Sequence, residues 1–412
     1  SLSDYIRFDQ YLGRIDHTFN NGTDKISGRV IAENQRDEGG TSSAQATLGR
    51  AVRGSRGPFD GLFGNVNLGY NHVFTRAVND ATRAFPSSTY TESWFLNGQH
   101  KFRQNWVVEV GYVGTTGVNL ERIDDVNRFS GDLLDGKEDR INRNFSVLLF
   151  VTNGVTSSYH AMTAEVRRSF SNGFSLQTNY RWSKWLDTSS DTSTGQFQDN
   201  SEPGKGAQEI DCLRCERARS LFDIPHRFST SLLWAPRFFE GSRNLFGRVA
   251  AGWQLSAVVT AQSGRPFSVW NGAAASAGGD YNLDGGGGAV GGGFYDRPNA
   301  PAAGAIKTSF GQDDFINGLF DASAFPRPVP GQVGTLGRNT FRGPRYATID
   351  LALARNITVR GEKQLQLRLD AYNALNTVNL FLPNADLSVA NFGKSTQPFE
   401  SRTIQGGLRF IF

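Results

Sequence analysis

The chain has 412 residues, of which 38% are hydrophobic and 20% are charged, and its formal net charge at pH 7 is +4. This length is sufficient for two or three ordinary domains or for one large barrel. No stretch approaches the ~18 to 20 consecutive apolar residues of a membrane-spanning helix, so the sequence excludes a helical membrane protein. The 43 basic and 39 acidic residues are interleaved, which excludes the basic patch that a nucleic-acid-binding protein needs.

The predicted elements are β-strands, because apolar and polar residues alternate along most of the chain. In the segment 173–187, Leu176 and Trp182 fall on one face, whereas Gln177 and Asn179 fall on the other. The same pattern predicts about thirteen strands, which in chain order cover residues 5–19, 24–35, 61–75, 77–85, 90–103, 105–121, 157–170, 173–187, 226–236, 249–263, 345–358, 363–377 and 400–412.

The length and polarity of these strands indicate a barrel in a membrane. Several strands run for about ten residues or more, near the ~9 to 11 that a tilted strand needs to cross a bilayer. Strands of a soluble sandwich usually have only about five or six residues. We therefore predict an all-β fold, an antiparallel transmembrane β-barrel; a soluble all-β binding protein is the alternative.

The polar faces of the predicted strands carry Asn, Gln, Ser, Thr, Arg and Asp, a mixture that suits a hydrated interior. From the alternation we expect eight of these residues to line the inside of the barrel: Asn67, Gln177, Asn179, Arg181, Gln254, Gln366, Arg368 and Asp370.

The connections between the predicted strands alternate between tight turns and long links, which is typical of outer-membrane barrels. We place the tight turns on the periplasmic side and treat residues 1–412 as one barrel domain. We expect the link over residues 264–344 to be a mobile surface loop near the point where a ligand enters. The long extracellular links are predicted over residues 36–60, 122–156, 188–225, 264–344 and 378–399.

The strand count bears on how the barrel closes. With thirteen strands, the first and the last run in the same direction, so they cannot form an antiparallel seam. Bacterial single-chain barrels have even strand numbers. We therefore expect further strands before Ser1, with the thirteen or fourteen strands of this chain forming the later part of a larger barrel.

The stretch "GDYNLDGG" contains a candidate metal site. Asp280, Asn282 and Asp284 place oxygen-bearing side chains at alternate positions before Gly285, like the first half of a Ca²⁺-binding loop. Position twelve of such a loop would be Gly291 and not Glu, so the bidentate ligand is missing locally. The alternative interpretation is a flexible extracellular turn, and we expect no other cofactor.

The two cysteines, Cys212 and Cys215, form a CxxC motif in a predicted outer loop. Such a motif can be a redox pair or half of a zinc site. The chain has no second pair, and an oxidising compartment favours a local disulfide. We therefore expect Cys212 and Cys215 to be bridged.

Two further stretches contain candidate functional side chains. Arg338, Arg342 and Arg345 precede a strand, where they would bind lipopolysaccharide phosphates or cap the rim; the rim interpretation is favoured. Asp223 and His226 lie three residues apart. No nucleophile or paired carboxylate is spaced to work with them, so we expect no enzyme activity.

Several stretches spread over the chain carry a family resemblance: "RFDQYLGRIDHTFN", "NWVVEVGYVGTTGVNL", "RSLFDIPHRFSTSLLWAPR", "GWQLSAVVTAQSGRPFSV" and "LQLRLDAYNALNTVNL". In these stretches the chain resembles the C-terminal β-barrel portion of TonB-dependent outer-membrane receptors of the Oar-like group. The resemblance implies a 22-stranded barrel in the Gram-negative outer membrane, with an N-terminal plug that contacts TonB. Neither the plug nor the TonB contact lies in these residues.

The resemblance also implies a function and partners. It implies active uptake of an extracellular ligand too large for porins, such as a siderophore, an oligosaccharide or a peptide. The alternative is a surface or adhesion barrel that transports nothing. Outer-membrane lipid and lipopolysaccharide would surround the barrel. The terminal "GLRFIF" looks like the signal read by the barrel-assembly machinery, with Ile404, Leu408, Phe410 and Phe412 on its apolar face.

Overall fold

The computed structural model describes residues 5–19, 24–38, 65–76, 83–84, 89–103, 105–143, 149–190, 207–238, 244–286, 295–360 and 363–411. Its strands within these residues are β1 (Tyr5–Phe19), β2 (Asp24–Glu38), β3 (Asn65–Arg76), β4 (Arg83–Ala84), β5 (Thr89–Arg103), β6 (Trp106–Asp125), β7 (Leu149–Ser171), β8 (Phe174–Asp187), β9 (Ala218–Arg219), β10 (His226–Trp234), β11 (Trp253–Gln262), β12 (Pro266–Phe267), β13 (Phe341–Arg342), β14 (Tyr346–Arg360), β15 (Lys363–Tyr372) and β16 (Thr403–Ile411). Its helices are α1 (Leu245–Ala250) and α2 (Gln312–Asn317), with 3₁₀ turns at Leu213–Glu216, Ala275–Ala277 and Ala322–Ala324.

One large sheet contains nearly all of these strands. The strands of this sheet lie side by side in the order β1-β2-β3-β5-β6-β7-β8-β10-β11-β14-β15-β16, with β4 beside β7 and β9 beside β8. Strands β12 and β13 form a separate two-stranded sheet. Most neighbours are antiparallel, as predicted. The pairs β2–β3 and β4–β7 are parallel, which is a departure from the fully antiparallel prediction.

The two ends of the sheet run in the same direction. Every step along the order from β3 to β16 reverses direction, β2 and β3 are parallel, and β1 is antiparallel to β2. Within the described residues β1 and β16 are not paired with each other. The described sheet therefore has two free ends.

The strand register separates two chemically different faces. Asn97, Gly111, Thr163, Arg181 and Arg227 lie opposite one another on adjacent strands; we call their side of the sheet the polar face. The other side, the apolar face, carries the residues that alternate with them. All eight residues expected to line an interior fall on the polar face by register.

Burial differs between the two faces of the sheet. On the polar face, Asn97 is 7% exposed and Ser183 is 6% exposed. On the apolar face, Met162 is 48% exposed and Trp182 is 56% exposed. The chain therefore covers part of its polar face and leaves large apolar side chains uncovered on the other side. This is the reverse of a soluble sheet, which buries its apolar face.

The tight turn between β7 and β8 is the kind that the sequence predicts. Asn172 and Gly173 have φ values of 52° and 75°, as in the two-residue turns that match the twist of a hairpin. A Cβ atom at position 173 would lie 2.1 Å from the carbonyl oxygen of Ala235. Only glycine fits there.

Several predicted boundaries are wrong. The link predicted over 122–156 spans only 126–148, because β6 and β7 continue to pair beyond register shifts near Leu120. Irregularities of this kind let a ladder continue where strict alternation fails. The strand predicted over 77–85 lies mostly outside the described residues; within it only Arg83–Ala84 forms a short strand.

Two other strands are shorter than predicted. The segment 249–263 begins with the last turn of α1, which Asn244 caps by accepting a hydrogen bond from the amide of Gly247, so β11 starts only at Trp253. The strand predicted over 363–377 ends at Tyr372, because Asn373 adopts a φ of 47°. The Asn373 amide donates instead to Asp350 Oδ1.

The link between β11 and β14 is folded, and the expectation of a mobile loop is wrong for its described residues. Its side chains form an apolar cluster with residues of the link that follows β15. The members of this loop core are Phe267, Val269, Trp270, Phe315, Leu319, Phe325, Leu336, Phe341, Leu380, Ala385 and Phe392. In the described part of the chain, no helix is long and apolar enough to cross a membrane.

Candidate functional site

The long links meet at one end of the sheet, where arginines join segments that are distant in sequence. In the described residues, four carboxylates that are at most 4% exposed are paired with arginines. An arginine partner compensates the desolvation of a buried carboxylate. The pairs are Arg128–Asp284, Arg297–Glu216, Arg338–Asp187 and Arg342–Asp223.

Two arginines of the run predicted to bind phosphates or cap the rim are used inside the protein. Arg338 pairs with the Asp187 carboxylate and also donates to the Asp187 carbonyl oxygen at 2.8 Å and to Ser190 Oγ at 2.9 Å. Arg342 pairs with the Asp223 carboxylate and donates to the carbonyl oxygen of Gly264 at 3.1 Å. Both side chains therefore fasten links to the rim.

Asp223 and His226 are close in sequence, but they contact different residues in the structure. Asp223 accepts from Arg342 and from the amide of Trp185 at 2.8 Å. His226 Nδ1 lies 2.7 Å from the hydroxyl of Tyr180, on the apolar face. Asp223 and His226 thus have different partners and do not form an acid–base pair.

The candidate metal residues lie together and are buried. Asp280, Asn282 and Asp284 are 4%, 0% and 3% exposed. Asp280 accepts from the amide of Gly285 at 2.9 Å, and Asn282 Nδ2 donates to Asp284 Oδ2 at 3.0 Å. These contacts form a compact, buried turn within the long links that meet at this end of the sheet, which together we call the loop assembly. The turn is not the flexible exposed turn of the alternative interpretation.

Two residues that the sequence did not indicate complete this turn. Asp296 accepts hydrogen bonds from the amides of Tyr281, at 2.5 Å, and Asn282, at 3.2 Å. Arg128 Nη1 lies 2.5 Å from Asp284 Oδ2. The turn therefore has a third carboxylate, and an arginine supplies positive charge beside Asp284. Among the described residues, no group of three or more His, Cys, Asp or Glu side chains is arranged to hold a metal ion.

Crowding of carboxylates changes their acidity. Burial and the nearby charge of Asp284 raise the pKa of Asp296 to about 7. Burial and the same charge also raise the pKa of Asp280. The turn therefore favours a neutral, protonated form of Asp296 at mildly acidic pH.

The cysteines are joined. Cys212 and Cys215 form a disulfide with a Cα–Cα distance of 5.3 Å, across the 3₁₀ turn Leu213–Glu216. The turn ends at Glu216, whose carboxylate accepts from Arg297 at 2.8 Å and from the amide of Gln208 at 3.1 Å. The disulfide thus lies beside one of the buried ion pairs.

The contacts of the predicted interior residues are local. Gln177 Nε2 donates to Glu165 Oε1 at 3.2 Å, and Arg368 Nε lies 2.8 Å from Asp370 Oδ2. These side chains cover the polar face of the strands and do not converge on one point. They form a hydrophilic wall and not a discrete site.

A cavity of about 1030 Å³ opens at the outer ends of β10, β11 and β14. Apolar side chains, among them Ile306 and Phe310, form part of its wall. Its lining also contains five basic side chains and, in the described part of the chain, no acidic one. The basic residues are Arg219, His226, Lys307, Arg342 and Arg345. We call this cavity the rim pocket.

The rim pocket was only partly visible in the sequence. Arg342 and Arg345 belong to the arginine run that sequence reasoning selected. Arg219 and Lys307 were missed, because they come from links far from that run and carry no local motif. A comparison of charges between loops would have been needed to find them.

Comparisons with known proteins concern the sheet as a whole. A family model described as "Outer membrane beta barrel domain" matches residues 77–405. No curated protein was found to match the chain.

Solved structures are similar only at low sequence identity. The pyoverdine outer membrane receptor FpvA from Pseudomonas aeruginosa PAO1 is 10% identical with a TM-score of 0.42; the match covers 99% of this chain and 43% of that chain. The outer membrane transporter YddB from Escherichia coli is 10% identical with a TM-score of 0.38, over 79% of this chain and 32% of that chain. The chain thus spans less than half the length of either protein.

Proposed function

Because the chain belongs to the family of outer membrane beta-barrel domains and is a protein of the outer membrane, we propose that residues 1–412 form the barrel part of a TonB-dependent receptor of the Oar-like group. The observation that carries the proposal is the two-faced sheet of long strands, with folded links at one end and tight turns such as Asn172–Gly173 at the other. A receptor needs a wall that faces lipid, a wet interior and an elaborated outer surface.

The apolar face would contact lipid and the polar face would line the interior. Exposed apolar side chains such as Met162 and Trp182 support this orientation, because burying them in hydrocarbon removes them from water. Eight side chains on the polar face would contact water and the plug: Asn67, Gln177, Asn179, Arg181, Gln254, Gln366, Arg368 and Asp370. The like direction of β1 and β16 would be resolved by an odd number of additional antiparallel strands between them.

The proposed activity is energised uptake of a ligand too large for porins: a siderophore, an oligosaccharide or a peptide. The folded links would form the outer ligand-binding surface. TonB would act through a plug outside these residues. The fold does not select among the three ligand classes, since function resides in sites and not in the barrel itself.

The C-terminal strand would serve assembly. Ile404, Leu408 and Phe410 lie on the apolar face of β16, and Phe412 lies outside the described residues. Leu408 is 72% exposed. We propose that this uncovered edge strand is what the barrel-assembly machinery reads.

Uptake by the full-length receptor tests the proposal. Labelled ferric siderophore, oligosaccharide and peptide would be offered to cells that carry the receptor, with and without TonB. We expect uptake of one class, lost when TonB is absent or when the proton gradient is collapsed. Uptake that persists without TonB would contradict the proposal.

A second candidate is a surface or adhesion barrel that transports nothing. The observation in its favour is that the described links are folded, with their own apolar core and buried ion pairs; a preorganised outer surface suits partner binding. The same experiment separates the two functions. Binding of a ligand or surface without any uptake, in cells with functional TonB, would favour adhesion.

A further inference from the structure

We propose that the rim pocket binds the phosphate groups of a lipid in the outer leaflet of the membrane. The proposal rests on where the pocket opens, on the charge of its lining and on its mixed polarity. It does not depend on whether the protein transports a ligand.

The first step is the position of the pocket. Its lining includes His226 and Ala347, and the register pairs these residues with Trp182 and Ala261 on the apolar face. The pocket therefore opens on the outward side of the sheet and not over the polar face. A soluble ligand on its way through the barrel would meet the other side.

The second step is the height of the pocket along the strands. His226 is the first residue of β10, and its neighbours Tyr180 and Trp182 are 42% and 56% exposed. Tyrosine and tryptophan concentrate where hydrocarbon meets the headgroups. A pocket just beyond this aromatic pair lies at the level of the lipid headgroups.

The third step is the charge. Lys307 is paired with Asp314 at 2.7 Å and Arg342 with Asp223. Arg219 Nη1 donates to the carbonyl oxygen of Thr340 at 3.0 Å, which leaves its charge uncompensated. Arg345 makes no hydrogen bond or ion pair with any residue that the structure describes. His226 contacts the Tyr180 hydroxyl. Two exposed guanidinium groups are thus available for an anion.

The fourth step is the shape of the ligand. Guanidinium groups bind phosphate through paired N–H donors. The apolar part of the wall, which includes Ile306, Phe310 and Val378, would pack against the hydrocarbon attached to that phosphate. A phosphorylated glycolipid presents both features together, whereas a free inorganic anion would leave the apolar wall in contact with water.

Native mass spectrometry on the purified full-length protein tests the proposal. The probes are bisphosphorylated lipid A and the same lipid with both phosphates removed. The variants are Arg345→Gln, Arg219→Gln and their combination. Arg237→Gln is the matched control, because Arg237 is exposed at the opposite end of the sheet. Arg345→Lys keeps the charge and reports whether the guanidinium itself is needed.

We expect the phosphorylated lipid to bind at least about tenfold more tightly than the dephosphorylated one, and each glutamine variant to lose about tenfold in affinity for it, as for the loss of a charge-assisted hydrogen bond. The lysine variant should retain part of the affinity, and the Arg237 variant all of it. Because Arg219 and Arg345 are exposed, these variants should fold; unchanged hydrogen exchange at Arg342 and Gly343 will verify this.

Two results would overturn the proposal. Equal binding of both lipids, or unchanged binding in the double variant, would show that the pocket does not read lipid phosphates. Inorganic phosphate that competes with lipid A at equal molar concentration would show that the pocket is a site for soluble anions.

Discussion

Arg297 Nη2 lies 2.8 Å from Glu216 Oε1, although 81 residues separate the two side chains. Burial alone would raise the pKa of Glu216, but the charge and the hydrogen bond of Arg297 hold that pKa below its ordinary value. The pair joins the link after β8 to the link after β11. Because contacts of this kind join the long links to one another, we expect the loop assembly to open as one cooperative unit.

Glu216→Gln should therefore loosen this assembly. The substitution leaves Arg297 charged, buried and without its carboxylate, which costs about 3–5 kcal/mol. The lowered pKa of Glu216 contributes its full stabilisation only when the pH is above the ordinary value of 4.5. The variant and the unmodified protein should therefore differ less in their free energy of opening as the pH falls below that value. Hydrogen exchange of the amides in 207–216 and 295–299 measures the free energy of opening.

The control for this prediction is Arg143→Gln. Arg143 forms a 2.5 Å pair with Asp139, but its side chain is 76% exposed, so its loss should cost at most about 1 kcal/mol. Equal effects of the two substitutions would contradict the cooperative role of Glu216 and Arg297.

The carboxylate of Asp296 should make the turn at 280–286 sensitive to pH. Its pKa is raised from 3.8 to about 7 in the folded protein. Between these values the folded turn keeps a proton that the opened turn has lost. The free energy of opening should therefore fall with rising pH, by at most about 1.4 kcal/mol per unit, and this contribution should level off above pH 7.

Asp296→Asn should remove this slope, since asparagine does not titrate. Exchange protection factors for Tyr281 and Asn282, whose amides donate to Asp296, measure the effect from pH 4 to 8. Asp313→Asn, at an exposed position in α2, is the control and should keep the slope. An identical slope in the Asp296 variant would be evidence against a raised pKa.

Calcium should leave the stability of the loop assembly unchanged. Arg128 already lies 2.5 Å from Asp284, where its positive charge competes with any cation at Asp280, Asn282 and Asp284. Thermal unfolding with and without millimolar Ca²⁺ checks this expectation. A Ca²⁺-dependent rise in Tm that disappears in Asp296→Asn would instead establish a calcium site with Asp296 as its missing ligand.

The disulfide should contribute little to the fold. Cys212 and Cys215 are separated by three positions, and a short closed loop constrains the unfolded chain least. The double substitution to serine should change hydrogen exchange only in residues 207–219. Mass spectrometry without reductant should find the pair oxidised in the unmodified protein. Two free thiols there would contradict the structure.

The sequence predicts the strands well because their signal is local. Alternation assigns Leu176 and Gln177 to opposite faces, and the register agrees. Asn172–Gly173 predicts the hairpin turn because few residue pairs adopt its backbone conformation. The predicted strand ends are wrong where a contact with a residue distant in sequence overrides the local pattern. At Asn373 the backbone amide donates to Asp350 Oδ1, and β15 ends one residue earlier.

The loop assembly could not be predicted in the same way. Arg338 and Asp187 are 151 residues apart, and no periodicity connects them. A weaker signal was present: phenylalanines recur at every fifth position in the link after β11, at 310, 315, 320 and 325. All four lie in or against the loop core. An aromatic series of this kind in a Gly-rich segment indicates a folded link and not a mobile one.

The central claim is that the two faces of the sheet meet different solvents. Spin labels at single positions test it most directly, on the protein in lipid bilayers: Leu176→Cys, Leu255→Cys and Leu367→Cys for the apolar face, and Gln177→Cys, Gln254→Cys and Gln366→Cys for the polar face. Labels on the apolar face should collide with dissolved oxygen and be shielded from a water-soluble paramagnetic reagent, and labels on the polar face should show the reverse. Water-exposed labels at the leucines together with lipid-exposed labels at the glutamines would contradict the account.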